Sequence, residues 1–163
     1  MPGIKLTLNG FDKLLDNIKE AGGDVVPATE RALQASANIV ENELKTACSS
    51  SGVPASLSNA IKKETKWEGN RCSASIGWEM VGYNPNAPAA GYKAAFLNYG
   101  TPRRSIHKDK VHVMLGGEWK TLGKDRGKIN AKGFIGKARE AAAPKVKKEQ
   151  QKVLKEILKE VGG

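Results

Sequence analysis

The sequence has little of what builds most catalytic and binding sites. Its 163 residues include only two histidines, two cysteines and three each of Trp, Tyr and Phe. With so few aromatic residues, a large aromatic binding cleft is not expected. No stretch approaches the roughly 18 apolar residues that cross a bilayer, and the start, Met-Pro-Gly-Ile-Lys, lacks the apolar core of a secretory signal. We therefore expect folding in a cytoplasm without membrane contact.

The cysteines and histidines do not have metal-site spacing. Cys48 and Cys72 form no C-x-x-C pair and have no histidine nearby, which predicts two reduced, partly buried thiols. A disulfide between them is the alternative, and only geometry can decide it. His107 and His112 are five residues apart, so they do not share one face of a helix or a strand. Solvated or phosphate-facing histidines fit this spacing better than a metal site or an acid–base pair.

Catalytic signatures are missing as well. The sequence contains no Walker loop, no G-x-S-x-G and no H-E-x-x-H. Acidic pairs such as Glu41 and Glu43 lie in a predicted helix without metal-site spacing. We predict that the protein is not an enzyme and has no cofactor, no metal and no catalytic residue. The opposing hypothesis, a hydrolase with an unfamiliar site, requires a buried cluster of titratable residues.

Positive charge is in excess, and it is confined to the later part of the chain. The net charge is +10, from 27 Lys and Arg against 17 Asp and Glu. Residues 1–100 hold ten of each sign and are neutral, whereas residues 101–163 hold 17 basic and seven acidic residues. Charge segregated in this way favours a polyanion, or an acidic protein surface, as the neighbour of the C-terminal part.

Hydrophobic periodicity predicts the secondary structure of the first half. The pattern gives a strand over 4–8, a short helix over 11–18 ended by Gly22-Gly23, a long helix capped by Asp24 and running to about Ala47, a loop over 48–55, a helical turn over 56–61, and a hairpin of 65–68 and 71–78 around Gly69-Asn70. Together these elements predict a sheet that is covered by helices.

The second half is less regular. Residues 82–91 are predicted as a loop, and the apolar segment 92–99 fits a strand or a helix. Residues 111–115 and 118–122 fit a hairpin around Gly116-Gly117. A helix is predicted from Phe134, which Pro144 is expected to kink or divide. Its later part carries a coiled-coil-like seam with one polar member: Val146, Gln150, Val153, Ile157 and Val161.

The order of elements predicts an α+β fold. We expect one domain over residues 1–163, with a small antiparallel sheet packed by long helices. The domain also includes a basic extended insertion or arm at 102–132 and a C-terminal helix at 134–161. The basic residues of the arm are the candidate assembly or phosphate contacts: Arg103, Arg104, Lys108, Lys110, Lys120, Lys124, Arg126, Lys128 and Lys132. Such side chains neutralise phosphates without reading bases, although many charge runs are only solvated faces.

Several short segments resemble, in order, the head–tail joining or tail-completion (minor tail-component) proteins of long-tailed double-stranded DNA bacteriophages. These segments are the strand and G-x-x-x-L step of 4–15, the helix with Arg31-Ala32-Leu33 and Ile39-Val40, the step Ser56 to Ile61, the segment Ala95 to Thr101, and Gly133 to Ala138. The fourth is similar to the family's Y-x-x-E-x-G-T signature, and the last to its P-F-L-x-P-A opening of the final helix.

The likeness has departures as well as matches. Asn98 stands where the family has an acid, and Gly133 and Gly136 stand where prolines are common. Ser56 and Ala60 also differ from the family step, and residues 102–132 look like an insertion. The residues that match the family signature are expected to pack the fold or to contact other subunits: Phe96, Tyr99, Gly100, Thr101, Phe134 and Ala138.

The resemblance implies a non-catalytic structural virion protein at the head–tail junction, assembled in the bacterial host cytoplasm. Its partners would be phage neck and tail proteins, and it would act in a homo-oligomeric ring, for which a hexamer is one form. The alternative is a free-standing basic nucleic-acid-binding protein that contacts phosphates non-specifically through residues 103–132. That alternative predicts tight DNA binding by the monomer and no ring with partners.

Overall fold

A small antiparallel sheet and two long helices form the body of the protein. The computed structural model describes residues 2–82, 84, 89–102, 105–115, 117–125 and 127–163. For residues 105–115 and 119–125 it describes the path of the backbone only. The elements are β1 (Gly3–Thr7), α1 (Asp12–Glu20), α2 (Val25–Ser50), α3 (Ala55–Asn59), β2 (Lys62–Glu68), β3 (Arg71–Gly77), α4 (Ala90–Tyr99), β4 (Ser105–Leu115), β5 (Glu118–Asp125) and α5 (Phe134–Gly162). This content confirms the predicted α+β class.

The three-stranded sheet has the order β1-β3-β2, with β3 in the centre. Ile4 lies opposite Ile76 and Leu6 lies opposite Ala74, so these side chains share one face of the sheet. Ile4, Ala74 and Ile76 are buried in one core cluster with residues of α2. The hairpin predicted around Gly69 is present as β2 and β3, and Gly69 has the positive φ of 61° that its turn needs.

Helix α2 crosses the sheet and begins at its predicted cap. The Asp24 carboxylate accepts the backbone N–H of Val26 at 2.9 Å, as expected of an N-cap. The helix runs to Ser50 and α3 begins at Ala55, so the loop predicted for 48–55 is wrong over its first three residues and at its last. Burial is the physical reason, because Ala47 and Cys48 are 7% and 0% exposed and hold the last turn against the core.

The helix α5 lies along α2 and contacts α1. The predicted seam packs within the chain: Val146, Gln150, Val153 and Ile157 are buried, whereas Val161 is 37% exposed. The polar member is accommodated, since the Gln150 amide donates to the backbone carbonyl of Thr7 at 3.4 Å. Of the two effects expected of Pro144, a kink or a division, the division is wrong, because the helix continues through this proline. Ala142 and Val146, buried on either side of this proline, keep both halves on the same core.

The basic hairpin is a two-stranded sheet of its own, formed by β4 and β5. Its register runs from Lys110 opposite Gly123 to Leu115 opposite Glu118, with an irregularity nearer Ser105. The predicted hairpin is therefore confirmed, and its strands are longer than expected. Of the predicted loop 82–91, residues 83 and 85–88 lie outside the described residues, and α4 already begins at Ala90. The segment 92–99, which fitted a strand or a helix, is helical.

Candidate functional site at the stem of the basic hairpin

The basic hairpin leaves and rejoins the body at a single point, which we call the stem (residues 98–101 and 129–135). Thr101 and Ile129 form an antiparallel bridge there. The Thr101 backbone N–H donates to the Ile129 carbonyl at 2.9 Å, and the Ile129 N–H donates to the Thr101 hydroxyl oxygen at 3.0 Å. The two ends of the arm are thus hydrogen-bonded to each other before the chain enters α5.

Gly100 makes this close approach feasible. Its φ of 76° and ψ of −179° lie in a backbone region that is essentially restricted to glycine. A Cβ at this position would come within 2.7 Å of the Ile129 carbonyl oxygen and 2.9 Å of the Ala131 nitrogen. Both contacts are with backbone, which cannot rotate away. The resemblance predicted a structural role for Gly100, and the close backbone contact supplies a physical reason for glycine there.

Asn98 joins α4 to the start of α5. Its backbone carbonyl accepts the N–H of Gly133 at 3.1 Å, and its side-chain oxygen accepts the N–H of Ile135 at 2.8 Å. The first N–H groups of a helix have no partner within the helix, so Asn98 acts as an N-cap supplied from another element. It is 5% exposed. The acid usual in the resembled family would provide the same acceptor, with a charge that suits a helix N-terminus.

Phe134 and Ala138 anchor the first turns of α5 in the core, and both are 0% exposed. The ring of Phe134 meets the ring of Trp78 edge to face, with centroids 5.8 Å apart, a favourable aromatic geometry. The indole N–H of Trp78 donates to the carbonyl of Leu57 at 2.7 Å. The start of α5 is therefore fixed both by apolar packing and by the polar cap from Asn98.

The other residues matching the family signature are placed differently. Phe96 is partly buried, whereas Tyr99 is 67% exposed, so core packing does not account for Tyr99. The exposed ring of this stem residue is accessible to a neighbouring molecule.

The candidate phosphate contacts lie along the hairpin and at its base. Arg103, Arg104 and Arg126 lie outside the described residues. Lys108 and Lys110 lie in β4, and Lys120 and Lys124 in β5, where only the backbone path is described. Lys128 is exposed. Lys132 has a structural contact, because its ammonium group donates to the Ser51 carbonyl at 2.8 Å and thereby ties the stem to the end of α2.

The arm carries a strong positive charge. Residues 102–132 contain nine basic and three acidic residues, a net charge of +6. The remaining +4 of the protein's excess lies in the span of α5, with eight basic and four acidic residues. Residues 1–100, which contain the three-stranded sheet and the earlier helices, are neutral as a set. Electrostatic attraction therefore originates from the arm and from α5.

The described side chains give little support for nucleophilic catalysis. Both cysteines are buried and unpaired, as predicted. Burial raises the pKa of the Cys48 thiol to about 11, and burial together with the nearby Glu30 charge raises the pKa of Cys72. Both thiols are thus neutral near pH 7 and poorly nucleophilic. In the described part of the chain, no three His, Cys, Asp or Glu residues group closely enough to bind a metal ion.

One carboxylate is perturbed for a structural reason. The pKa of Glu41 is lowered, first by its hydrogen bond with Lys45 and then by that with Lys63. The N–O distances are 2.7 and 2.6 Å; the Lys45 pair lies within α2, and the Lys63 pair connects α2 with the edge strand β2. The Lys63 pair thus helps to hold the sheet against the helix, and among the described residues neither pair brings a second acid to Glu41.

Sequence reasoning named most of the stem but missed the function of Asn98. The buried face of α4 comprises Gly91, Ala94 and Asn98, three and four residues apart. A polar residue on such a face is the signal of a required hydrogen bond. The sequence does not reveal this signal, because the segment 92–99 fits a strand as well as a helix.

Comparisons with known protein families, with curated proteins and with solved structures found no match to this chain. In the part of the chain described here, none of the helices combines the length and apolar character that crossing a membrane demands.

Proposed function

We propose that this chain is a structural component of the head–tail junction of a long-tailed bacteriophage, a tail-completion or joining protein that acts by assembling into a ring with neck and tail proteins. The observation that carries the proposal is the stem. Two segments that resemble the phage family, 95–101 and 133–138, are separated by the arm in sequence, and they meet in one hydrogen-bonded joint through Asn98 and Gly133.

The hairpin suits an assembly role. A two-stranded sheet alone is marginally stable in water and gains stability from a further surface. Here β4 and β5 form a sheet separate from the β1-β3-β2 sheet, and at about 3.3 Å per residue their strands extend roughly 25–35 Å. The arm thus supplies length and positive charge, its described strands pair only with each other, and the stem fixes its base. A neighbouring subunit or an acidic neck protein would complete it.

The mechanism we propose is assembly without chemistry. The sheet and the helices α2 and α5 form a preformed body, since their core residues are almost fully buried within one chain. The body docks, and the arm then contacts the adjacent subunit or ring. Tyr99, an exposed residue of the stem, lies where such a contact would begin.

The test compares the full chain with an arm-shortened variant. Because Thr101 and Ile129 are bridged, residues 102–128 can be replaced by the two-residue turn Asn-Gly. Each protein is mixed with the neck and tail-tube proteins encoded by the same genome and examined by native mass spectrometry and negative-stain microscopy. We expect ring-shaped complexes with the full chain and reduced incorporation of the shortened one. A full chain that stays monomeric with every partner would contradict the proposal.

The alternative function, phosphate contact by a free-standing nucleic-acid-binding protein through residues 103–132, is favoured by the +6 charge of that region. It predicts DNA binding by the isolated full chain that weakens steeply with salt and that the arm-shortened variant loses. Ring formation with neck or tail proteins is not expected in that case. A salt series with duplex DNA and with the neck and tail proteins separates the two functions.

A further inference from the structure

The solvent face of α5 carries lysines in a single line. Lys148, Lys152, Lys155 and Lys159 follow one another at intervals of four, three and four residues, and all are exposed. At 3.6 residues per turn these positions lie within an arc of about 60°, and they span about 17 Å of helix at 1.5 Å per residue. We call these four residues the lysine stripe. The opposite side of α5 is buried in the core.

The lysine stripe is almost free of acidic partners. Among the described residues only Lys152 has a carboxylate within 4.0 Å, that of Glu149 at 3.9 Å. Glu156 flanks the stripe, and Glu160 is paired with Arg31 of α2. Some lysines elsewhere are paired more closely, as the 2.9 Å contact of Lys62 with Glu79 illustrates.

Solubility alone does not require a row of four positive charges on one helix face. The exposed positions of α1 alternate in sign, with Asp12, Lys13, Asp16, Lys19 and Glu20. Like charges three or four residues apart destabilise a helix, and the lysine stripe contains three such neighbouring pairs. A polyanion that binds along the stripe would relieve this repulsion and release its own counterions.

We propose that the lysine stripe binds the phosphate backbone of double-stranded DNA without sequence preference. Duplex DNA presents about one charge per 1.7 Å of axis, so a straight 17 Å row of ammonium groups can reach several phosphates at once. The stripe has no aromatic residue on which unpaired bases would stack, which favours the duplex over a single strand. This proposal does not rest on the phage assignment.

Other polyanionic partners fit the lysine stripe less well. Protein interfaces are depleted in lysine at their cores and centre on apolar or aromatic anchors, whereas Gln151 and Glu156, which flank the stripe, are polar. A membrane-surface helix buries its apolar face among lipids, whereas the apolar face of α5 is already buried in the protein core. Charge alone would then attract an acidic protein or a membrane surface to the stripe.

The test uses the full chain and a labelled DNA duplex, with affinity measured by fluorescence anisotropy between about 50 and 200 mM salt. The stripe variant carries Gln at the four stripe positions, a change that preserves helix propensity. A control variant with the same net charge carries Gln at four exposed lysines elsewhere: Lys13, Lys19, Lys62 and Lys66. Circular dichroism and thermal unfolding verify that both variants fold.

We expect the stripe variant to bind DNA at least tenfold more weakly than the control variant. Its slope of log K against log salt should be shallower by about 3–4, since each lost phosphate contact removes about 0.9. A variant with arginine at the four stripe positions should retain the affinity, which keeps the test decisive if the glutamine variant unfolds.

Three results would overturn the proposal. The first is equal DNA affinity of the stripe and control variants. The second is loss of binding only when the hairpin lysines Lys108, Lys110, Lys120 and Lys124 are changed to Gln, which would locate the contact on the arm. The third is stripe-dependent binding to polyglutamate or to phosphatidylserine vesicles that exceeds binding to DNA. Because no neck or tail protein is present in this assay, failure of ring assembly leaves its result unaffected.

Discussion

Removal of the Asn98 side chain tests whether α5 depends on a cap from another element. The side-chain oxygen accepts the Ile135 N–H at 2.8 Å, and the two residues are 5% and 2% exposed. In Asn98→Ala this N–H loses its acceptor where water hardly reaches. Loss of an N-cap costs about 0.5–2 kcal/mol, and a buried unsatisfied donor costs about 1–3 kcal/mol. Both figures describe the same bond, so we expect a loss of about 1–3 kcal/mol in the free energy of unfolding.

Asn98→Asp keeps the side-chain oxygen that accepts the hydrogen bond and removes the amide NH2 group. The carboxylate retains the bond to Ile135 and adds a negative charge at the positive end of the α5 dipole, an interaction worth about 0.3–1 kcal/mol. These interactions favour the ionised form, whereas burial of the side chain favours the neutral form; we predict that the interactions dominate and that the folded-state pKa of the new carboxyl lies below the unfolded value of about 3.9. Their contribution is therefore present above pH 4 and is lost as pH falls through the folded pKa. We expect near-native stability at pH 7 and a selective loss below about pH 4.

Urea unfolding, followed by tryptophan fluorescence and circular dichroism, measures both variants. Trp78 is buried against Phe134, so its emission reports on the start of α5. The midpoint should fall for Asn98→Ala with an unchanged slope. Asn59→Ala is the control, because Asn59 is exposed at the end of α3 and should change stability by under about 0.5 kcal/mol. Equal stability of the Asn98→Ala and Asn59→Ala variants would refute the capping role.

Three further predictions follow from the same region and the core. Gly100→Ala should cost about 1–3 kcal/mol, because its Cβ would meet the Ile129 carbonyl at 2.7 Å, whereas Gly136→Ala in an open helical position should be neutral or stabilising. Thermal melts of the two variants check this contrast. Replacement of 102–128 by Asn-Gly should leave the cooperative unfolding of the body intact, and a non-cooperative melt would show that the arm is part of the core. The Cys48 thiol should resist alkylation at pH 8 until urea unfolds the chain, and mass spectrometry of modification against urea concentration measures it.

Local patterns of the sequence carry most of the fold. The alternation in 4–8 and the helical spacing after Asp24 correspond to β1 and α2, and Gly22 ends α1 with φ at 87°. In each case the local signal and the tertiary burial agree, since the apolar positions of the pattern are those that form the core. Agreement between these levels is what makes such elements predictable.

Long-range burial explains where the predictions failed. Ser49 and Ser50 favour turns, yet the burial of Cys48 extends α2 through them, and tertiary context overrides propensity. Pro144 does not divide α5, because buried residues on both sides hold the helix to one core. The stem combines residues from 98 to 135, and a hydrogen bond across that distance, such as Asn98 to Ile135, has no local signature.

The stem also relates the two basic surfaces of the protein. The arm contributes +6 and the span of α5 contributes +4 to a body that is otherwise neutral, and both begin within a few residues of the Asn98 cap. Thr101 and Ile129 fix the base of the arm, while Phe134 fixes the first turn of α5 in the core. The arm begins at this joint, whereas the lysine stripe begins about 21 Å further along α5 from Phe134, so the two contacts are separate. Substitutions at Gly100 that loosen the joint should therefore weaken the contacts of the arm, whereas substitutions within the stripe should weaken only DNA binding.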